Sequence, residues 1–277
     1  MNLEKYLSRI HYSGPITPEL STLRELQRLH VLHVPFEDID IYCGVPIVLS
    51  PKQFFRKIVT EQRGGYCYEV NELFYQLLRA IGFSVRRISG RLVSGHRYGP
   101  EFDHMAICVT LGGQQYLVDA GYGDFSLQPL AITPGLVQHD GHTEYCITDG
   151  VEVDGMSYFQ VAKWSHAKQK FSPDFIFTLT PRTLIEFEPM NRWKQSSPES
   201  KYRNTLICSL PVNGGRVSMV GNKLVRTHGQ VKQVTTVPDG HQLTLLRAVF
   251  NVDLPAEKYQ RLAAAHEVHA DNTAVVA

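Results

Sequence analysis

Three residues in the first half of the chain have the side chains of a nucleophile, a base and an orienting acid: Cys67, His104 and Asp119. A thiolate is a strong nucleophile, and a histidine backed by a carboxylate can take a thiol proton while its ring is held in the required tautomer. Taken singly, each residue is more often structural, because free cysteine is usually a small buried hydrophobe. The three residues therefore predict covalent catalysis only if the fold brings them together.

The residues after Cys67 predict a helix that begins at the cysteine. Apolar side chains recur three and four positions apart from Val70 to Ile81, and Gly82 then gives a stop signal. Cys67 would lie in the first turn, where unpaired backbone N–H groups favour a thiolate. The glycines at 64 and 65 permit close approach by another molecule.

A predicted hairpin brings the other two residues together. Two strands, His104–Leu111 and Gln114–Ala120, flank a pair of glycines, which is typical of a two-residue turn. That turn sets Asp119 opposite Ala106, so His104 is its diagonal neighbour on the same sheet face, roughly 7–8 Å away at the backbone. The two side chains can then meet, whereas a bulge would separate them.

The remaining pattern divides the chain into three parts. Residues 1–82 predict a helical bundle, in which Thr17 and Pro18 start one helix and the capping-box sequence Ser50-Pro51-Lys52-Gln53 starts another. Arg9 and Glu37 are candidates for an ion pair across this bundle. Residues 83–190 predict strands of an antiparallel sheet or small barrel.

The third part, residues 191–277, predicts a mixed α/β unit. The polar stretch Asn191–Ser200 indicates a linker or surface loop, and short strands follow between residues 205 and 237. Two short helices close the chain, one around Leu246 and one after Pro255. The last ten residues, from Val268, are expected to fray.

Composition narrows the function. At 277 residues, with 43% hydrophobic residues, 20% charged residues and a net charge of +1, the chain lacks the basic excess that nucleic-acid or anionic-membrane binding usually shows. It has no amino-terminal signal pattern and no run of about 18 apolar residues. We therefore expect a cytoplasmic protein with no nucleic-acid or membrane partner.

The cysteines and histidines give no metal signature. The five cysteines are scattered and never form a C-x-x-C pair, so neither a disulfide framework nor a zinc ribbon is indicated. The histidine pairs at 139 and 142 and at 266 and 269 lack a third ligand at metal-site spacing. No metal is expected.

The stretch Arg63-Gly64-Gly65-Tyr66-Cys67-Tyr68-Glu69 resembles the R-G-G-x-C-x-E signature of the arylamine N-acetyltransferases. Pro35-Phe36-Glu37, His104 before a strand, the Asp119–Asp124 stretch and the late Ser196–Ser200 stretch also stand in the order of that family. The resemblance implies an α+β multidomain fold with a helical bundle, a β-barrel and an α/β lid.

The same resemblance implies roles for individual residues. Cys67 would be the acetylated nucleophile, His104 its base and Asp119 the orienting acid. Tyr66 and the loop Gly121-Tyr122-Gly123 would bind substrate. Acetyl-CoA would be the donor, an arylamine, hydrazine or N-hydroxyarylamine the acceptor, and a thioester on Cys67 the intermediate. The residues that contact the coenzyme A phosphates and the oligomeric state stay open.

One residue departs from the family pattern, and two other functions fit the residue types. Asp103 stands where many members carry a small hydroxyl residue, and a second carboxylate there would either raise the pKa of His104 or alter the cleft. A cysteine hydrolase or transglutaminase-like enzyme uses the same order of cysteine, histidine and aspartate on other folds. A binding module with an inert Cys67 is the alternative outside catalysis.

Overall fold

Helices make up most of the first part of the chain. The computed structural model describes residues 1–238, 240–255, 257, 258 and 260–262. Apolar sides of the first helices share one core with the strands that follow. These first elements are α1 (Leu3–Arg9), α2 (Leu20–His33), β1 (Phe36–Glu37), α3 (Ile39–Tyr42), α4 (Pro51–Phe55), a π-helical turn (Arg56–Thr60) and α5 (Cys67–Ile81).

Two predicted helix starts need correction. Helix α2 begins at Leu20 rather than at Pro18, because Thr17 and Pro18 form a bend in which the Thr17 carbonyl accepts from the Glu19 N–H at 2.8 Å. Helix α4 does begin after Ser50 with a proline at its first position, as predicted. The Ser50 side chain makes no capping hydrogen bond, so the predicted capping box is wrong.

Helix α5 confirms the prediction made from its apolar spacing. It begins at Cys67 and ends at Ile81, and Gly82 follows in the left-handed conformation with φ of 104°. Only glycine adopts that conformation without a steric penalty, which explains the stop. The face of α5 that carries the apolar residues is buried against the sheet strands and the other helices.

A nine-stranded antiparallel sheet forms the middle of the chain. Its strands are β2 (Ser84–Ser94), β3 (Arg97–Tyr98), β4 (His104–Leu111), β5 (Gln114–Val118), β6 (Leu130–Ala131), β7 (Val137–His139), β8 (Glu144–Val153), β9 (Met156–Ser165) and β10 (Lys170–Phe177). They run in the order β6-β5-β4-β2-β10-β9-β8-β7, with β3 beside β2. The Gln138 side chain on β7 bonds both backbone groups of Ala131 on β6, at 2.7 and 3.0 Å, and so joins the two ends into a nearly closed barrel.

The last part of the chain contains a second sheet. After a 3₁₀ turn (Leu184–Phe187) come α6 (Glu188–Ser196), α7 (Lys201–Asn204), β11 (Ile207–Val212), β12 (Gly215–Val220), β13 (Lys223–His228), β14 (Val231–Thr236) and α8 (Gln242–Phe250). Strand β1 pairs with β11 and adds a fifth strand to this sheet. The overall architecture is therefore α+β, as expected.

The polar stretch Asn191–Ser200 is not the predicted linker. Most of it belongs to helix α6, whose Asn191 and Lys194 are each 1% exposed. The predicted boundary between the second and third parts, at residues 190 and 191, therefore falls inside helix α6. The division into three domains stays a prediction. The helix predicted after Pro255 lies largely outside the described residues, and the frayed tail from Val268 lies outside them entirely.

A cluster of buried charges fastens the loop that precedes α5. Arg63 binds Glu37 at 2.7 Å and Asp40 at 2.9 Å. Lys57 lies 2.9 Å from Asp40 and 2.8 Å from Glu69 on α5. The glycine loop after Arg63 is thereby tied to β1, α3 and α5 at once.

The predicted ion pair between Arg9 and Glu37 is wrong. The Arg9 guanidinium instead donates to backbone carbonyl oxygens, at 2.9 Å to Ile58 and 2.7 Å to His33. Glu37 takes Arg63 as its partner because the backbone of β1 bonds that of Gly65, which holds the two side chains side by side.

Replacing Arg63 with methionine should strongly destabilise the fold. The Arg63→Met change leaves Glu37 and Asp40 buried with less compensation, and breaking a buried pair typically costs about 3–5 kcal/mol of unfolding free energy. Urea denaturation measures this loss. The matched control is Arg56→Met, whose side chain is 78% exposed beside Glu61 and should change stability little. Equal stability of the two variants would contradict the role given to the cluster.

Candidate active site

Cys67 is the first residue of helix α5 and is only 2% exposed. The preceding residue, Tyr66, caps the helix, and its backbone N–H donates to the Glu69 carboxylate at 3.1 Å. Because Glu69 also binds Lys57, the buried charge cluster extends to the first turn of α5. The backbone at the start of α5, which carries the thiol, is therefore held by Glu69 and by the buried charge cluster.

The hairpin brings His104 and Asp119 together, as predicted. Strands β4 and β5 pair without a bulge from Leu111 opposite Gln114 to Ile107 opposite Val118. Asp119 follows directly after β5, and its Oδ2 lies 2.5 Å from His104 Nε2. The regular register, read from the sequence alone, is what lets these side chains meet.

The second carboxylate oxygen of Asp119 is held by three donors. Oδ1 accepts from the Asn71 side-chain amide at 2.8 Å and from the backbone N–H groups of Gly121 and Tyr122 at 2.9 and 3.0 Å. Hydrogen bonds to the charged form keep a carboxylate ionised and fix its orientation. Asp119 is therefore locked toward the imidazole.

Asn71 is the site residue that sequence reasoning missed. Its amide donates to the Met105 carbonyl at 2.6 Å as well as to Asp119, and its side-chain oxygen accepts from the Ala120 N–H at 2.8 Å. One signal was present, because a residue four positions after Cys67 lies on the same face of the helix. Asn71 ties α5 to both strands of the hairpin.

The electrostatics of the site favour a charged imidazole. Burial alone lowers the pKa of His104, but the Asp119 carboxylate and a hydrogen bond with the Cys67 side chain outweigh it and raise this pKa to about 9. Since Nε2 is engaged by Asp119, the other ring nitrogen is left to exchange a proton with the thiol. The arrangement can therefore hold a protonated imidazole beside the Cys67 side chain near neutral pH.

The loop after Asp119 packs directly against the nucleophile candidate. A Cβ at Gly121 would lie 2.9 Å from the Cys67 carbonyl oxygen, so only glycine permits this backbone approach. The Tyr122 ring stands edge-on to His104, with ring centroids 5.3 Å apart. Gly123 has φ of 94°, and its carbonyl accepts from Arg216 of β12.

Tyr66, the other residue predicted to bind substrate, is fully buried. Its hydroxyl donates to the Asn191 side chain of α6, and its ring lies 5.1 Å from that of Tyr68. The ring thus belongs to the same buried core as Cys67. This position connects the start of α5 to the third part of the chain.

Asp103 is bound by a buried lysine. Lys194 Nζ lies 2.9 Å from Asp103 Oδ1 and donates to the Asp103 backbone carbonyl at 2.5 Å. The interactions that raise the pKa of His104 come from Asp119 and Cys67. Which of the two expected effects Asp103 has stays a prediction. No sequence pattern indicates a role for Lys194, because it lies in the polar stretch that predicts a linker or surface loop.

The described residues contain neither a metal-binding cluster nor a helix suited to span a membrane. Within that part of the chain, no three histidine, cysteine or acidic side chains are grouped closely enough to hold a metal ion. None of the described helices has the length and apolarity that crossing a membrane requires. The second histidine pair, His266 and His269, lies outside the described residues.

The sequence of the chain is similar to that of known acetyltransferases. A family model described as N-acetyltransferase matches residues 19–259. Arylamine N-acetyltransferase 2 of Homo sapiens is 32% identical over 275 residues, which cover 92% of this chain and 95% of that protein. Arylamine N-acetyltransferase 2 of Mus musculus is 31% identical over 278 residues, with the same coverage.

Solved structures agree with the sequence comparison. The arylamine N-acetyltransferase from Mycobacterium abscessus superposes with a TM-score of 0.91 at 25% identity, covering 96% of this chain and 95% of that one. The Mycobacterium marinum arylamine N-acetyltransferase in complex with CoA gives a TM-score of 0.87 at 25% identity, with 96% and 98% covered.

These matches define an acetyltransferase enzyme. The chain belongs to the arylamine N-acetyltransferase family, as the resemblance of its cysteine motif predicted.

Replacing Asp119 with asparagine should lower acetyl-transfer activity by orders of magnitude. The amide can turn its N–H toward the ring, which favours the wrong tautomer of His104. Steady-state rates of acetyl transfer measure the effect. Circular dichroism must first give a native-like spectrum, because Asp119 also accepts three hydrogen bonds. A folded Asp119→Asn variant with the full rate would remove Asp119 from the mechanism.

The charge on His104 should make stability depend on pH in the alkaline range. A histidine whose pKa is raised on folding contributes stability that is fully present below its unfolded pKa and is lost as pH rises through its folded pKa. With values of roughly 6.5 unfolded and about 9 folded, the contribution is about 3 kcal/mol and disappears over that interval. Denaturant unfolding of the wild-type chain and His104→Gln between pH 6 and 9.5 measures it. Parallel pH profiles would show that folding leaves the pKa of His104 unchanged and would contradict the raised value.

Proposed function

We propose that this enzyme transfers an acetyl group from acetyl-CoA to an arylamine, hydrazine or N-hydroxyarylamine through a thioester on Cys67. The observation that carries the proposal is the chain of contacts from Cys67 through His104 to Asp119. Family membership supports the reaction class, and the related Mycobacterium marinum enzyme in complex with CoA supports the donor.

In the first half-reaction, Cys67 is the nucleophile. Its thiolate attacks the thioester carbonyl carbon of acetyl-CoA and forms the new carbon–sulfur bond. The bond between that carbon and the coenzyme A sulfur then breaks, and the His104 imidazolium gives its proton to the departing thiolate. Asp119 holds the ring in place through this transfer, so the step ends with acetyl-Cys67, neutral His104 and free coenzyme A.

In the second half-reaction, the acceptor amine takes the place of coenzyme A. Its nitrogen attacks the acetyl carbon, neutral His104 accepts the proton that the nitrogen loses, and Cys67 leaves as a thiolate. The thiolate and the imidazolium are thereby restored together. The raised pKa of His104, about 9, matches a residue that begins and ends each cycle protonated.

The acetyl group must be protected from water between the two half-reactions. Three aromatic residues lie at the site: Tyr66 and Tyr68 flank Cys67 in the chain, and the Tyr122 ring stands edge-on to His104. We assign the Gly121-Tyr122-Gly123 loop and Tyr66 to the wall of the substrate cleft. Exclusion of water slows hydrolysis and favours transfer to an amine.

The proposed steps use no metal, and they need a reduced thiol. All five cysteines of the chain are free. Free thiols persist in reducing compartments, and we therefore assign the reaction to the cytoplasm.

Incubation with acetyl-CoA alone should give a covalent acetyl group on Cys67. Intact mass spectrometry after a short incubation should detect one added acetyl group, and peptide mapping should assign it to the peptide that contains Cys67. An arylamine added afterwards should remove it. Cys67→Ser is the control: it should fold, carry no acetyl group and have no transfer activity, since a serine hydroxyl is not ionised near neutral pH.

The same experiment separates transfer from the two alternatives. A hydrolase would release acetate from acetyl-CoA without an amine, and an inert binding module would give neither adduct nor turnover. Double-reciprocal plots at several acceptor concentrations should be parallel. Intersecting lines together with an unmodified Cys67 peptide would exclude the thioester route even if amines were still acetylated.

A further inference from the structure

We propose that Lys194, bound to Asp103, is a positioning residue that fixes the chain ahead of His104 and supplies a buried positive charge to the Cys67 thiolate. The inference rests on the proposed role of Cys67 as the nucleophile and extends it to a residue on helix α6. Four groups of observations support it.

First, the ammonium group of Lys194 is buried and well bound. The side chain is 1% exposed, and both hydrogen-bond acceptors come from Asp103, the carboxylate at 2.9 Å and the backbone carbonyl at 2.5 Å. Asp103 directly precedes His104, at the point where β4 begins. Lys194 therefore holds the backbone on which the imidazole is mounted.

Second, aromatic faces surround the same ammonium group. Its nitrogen lies 4.9 Å from the ring centroid of Tyr202 and 5.6 Å from that of Tyr68. A cation over an aromatic ring is stabilised by the ring's quadrupole, most strongly where water is excluded. Because Tyr68 is the residue after Cys67, this contact brings the charge to the first turn of the helix that carries the thiol.

Third, the electrostatic environment keeps Lys194 charged. Burial lowers its pKa, but Tyr202, Cys67, Tyr68 and Asp103 outweigh burial and raise this pKa above the ordinary value for lysine. The attraction between Lys194 and the thiolate of Cys67 is mutual, so a lysine that stays protonated favours the ionised thiol.

Fourth, the two members of the pair carry opposite charges, so their effects on a nearby thiolate differ in sign. The groups that interact electrostatically with Cys67 are His104 from β4, Tyr66 and Tyr68 from its own helix start, Lys194 from α6, and Lys201 and Tyr202 from α7. Asp103 joins this group through Lys194, which it binds. Asp103 alone would repel the thiolate, and Lys194 alone would attract it. Removing either member should therefore move the ionisation of the thiol in a different direction.

The test is the pH dependence of Cys67 alkylation by iodoacetamide, followed by mass spectrometry of the peptide that contains Cys67. In Lys194→Met, the half-maximal rate should move to higher pH by about one unit, the order expected for a charge near the thiol. In Asp103→Asn, it should move to lower pH. The double variant Lys194→Met/Asp103→Asn should return toward the wild-type midpoint.

Controls separate this role from a purely structural one. Lys223→Met, an exposed lysine on β13, should leave the midpoint unchanged, and Lys194→Arg should restore most of what Lys194→Met loses. Circular dichroism should confirm that each variant is folded. If Lys194→Met does not fold, the proposal is tested by the other two variants. Asp103→Asn must then move the midpoint to lower pH, and Lys194→Arg must keep it near the wild-type value. Midpoints that stay at the wild-type value, or that move in the same direction in both single variants, would overturn the proposal.

The assay also distinguishes this inference from the proposed reaction. Alkylation needs no acetyl-CoA, so opposite shifts without an acetyl-Cys67 adduct would retain the electrostatic role and reject the thioester route. An adduct in the wild-type chain with unchanged midpoints in the variants would retain the thioester route and reject the electrostatic role of Lys194. The kcat of acetyl transfer in Lys194→Met should fall, at each pH, in proportion to the thiolate that the alkylation profile shows to be lost.

Discussion

The buried ion cluster around Arg63 is the interaction on which the site depends. Arg63 and Lys57 neutralise Glu37, Asp40 and Glu69, and all five residues are at most 7% exposed. Such a cluster contributes little net stability, because desolvation offsets the attraction between the charges. Its effect is geometric: the carboxylates come from three separate elements and converge on one loop. That loop ends at Tyr66, so the cluster sets where the next residue, the nucleophile candidate, can lie.

Once the loop is fixed, a short series of hydrogen bonds determines the rest of the site. The Asn71 side chain on α5 donates to the Asp119 carboxylate and to the Met105 carbonyl of β4, the strand that carries His104. Its oxygen accepts from the backbone N–H of Ala120. The cysteine helix and the hairpin are therefore coupled through one amide side chain. Gly121 lets the two backbones approach to contact distance. Rotation of α5 would therefore break the Asn71 bonds.

The sequence could predict those parts of the site that follow from local rules. Helix α5 has a clear apolar period and a glycine stop, and the two-residue turn fixed the register that joins His104 to Asp119. Strand β1 was beyond such rules, because it has two residues and pairs with β11, some 170 positions later. The helical cap at Thr17 failed for a related reason: a local preference was overridden by the bend that leads into α2.

Helix α6 was missed for a different physical reason, and that reason bears on function. Apolar periodicity identifies a helix by the side it buries, but α6 buries Asn191 and Lys194. Each finds its partner far along the chain: Asn191 accepts from Tyr66, directly before Cys67, and Lys194 binds Asp103, directly before His104. One polar helix face thus contacts both residues that precede the reacting side chains. A hydrophobic face could have docked the helix equally well, but it could not have supplied a charge to the thiol, and this is why the buried lysine points to chemistry rather than to packing.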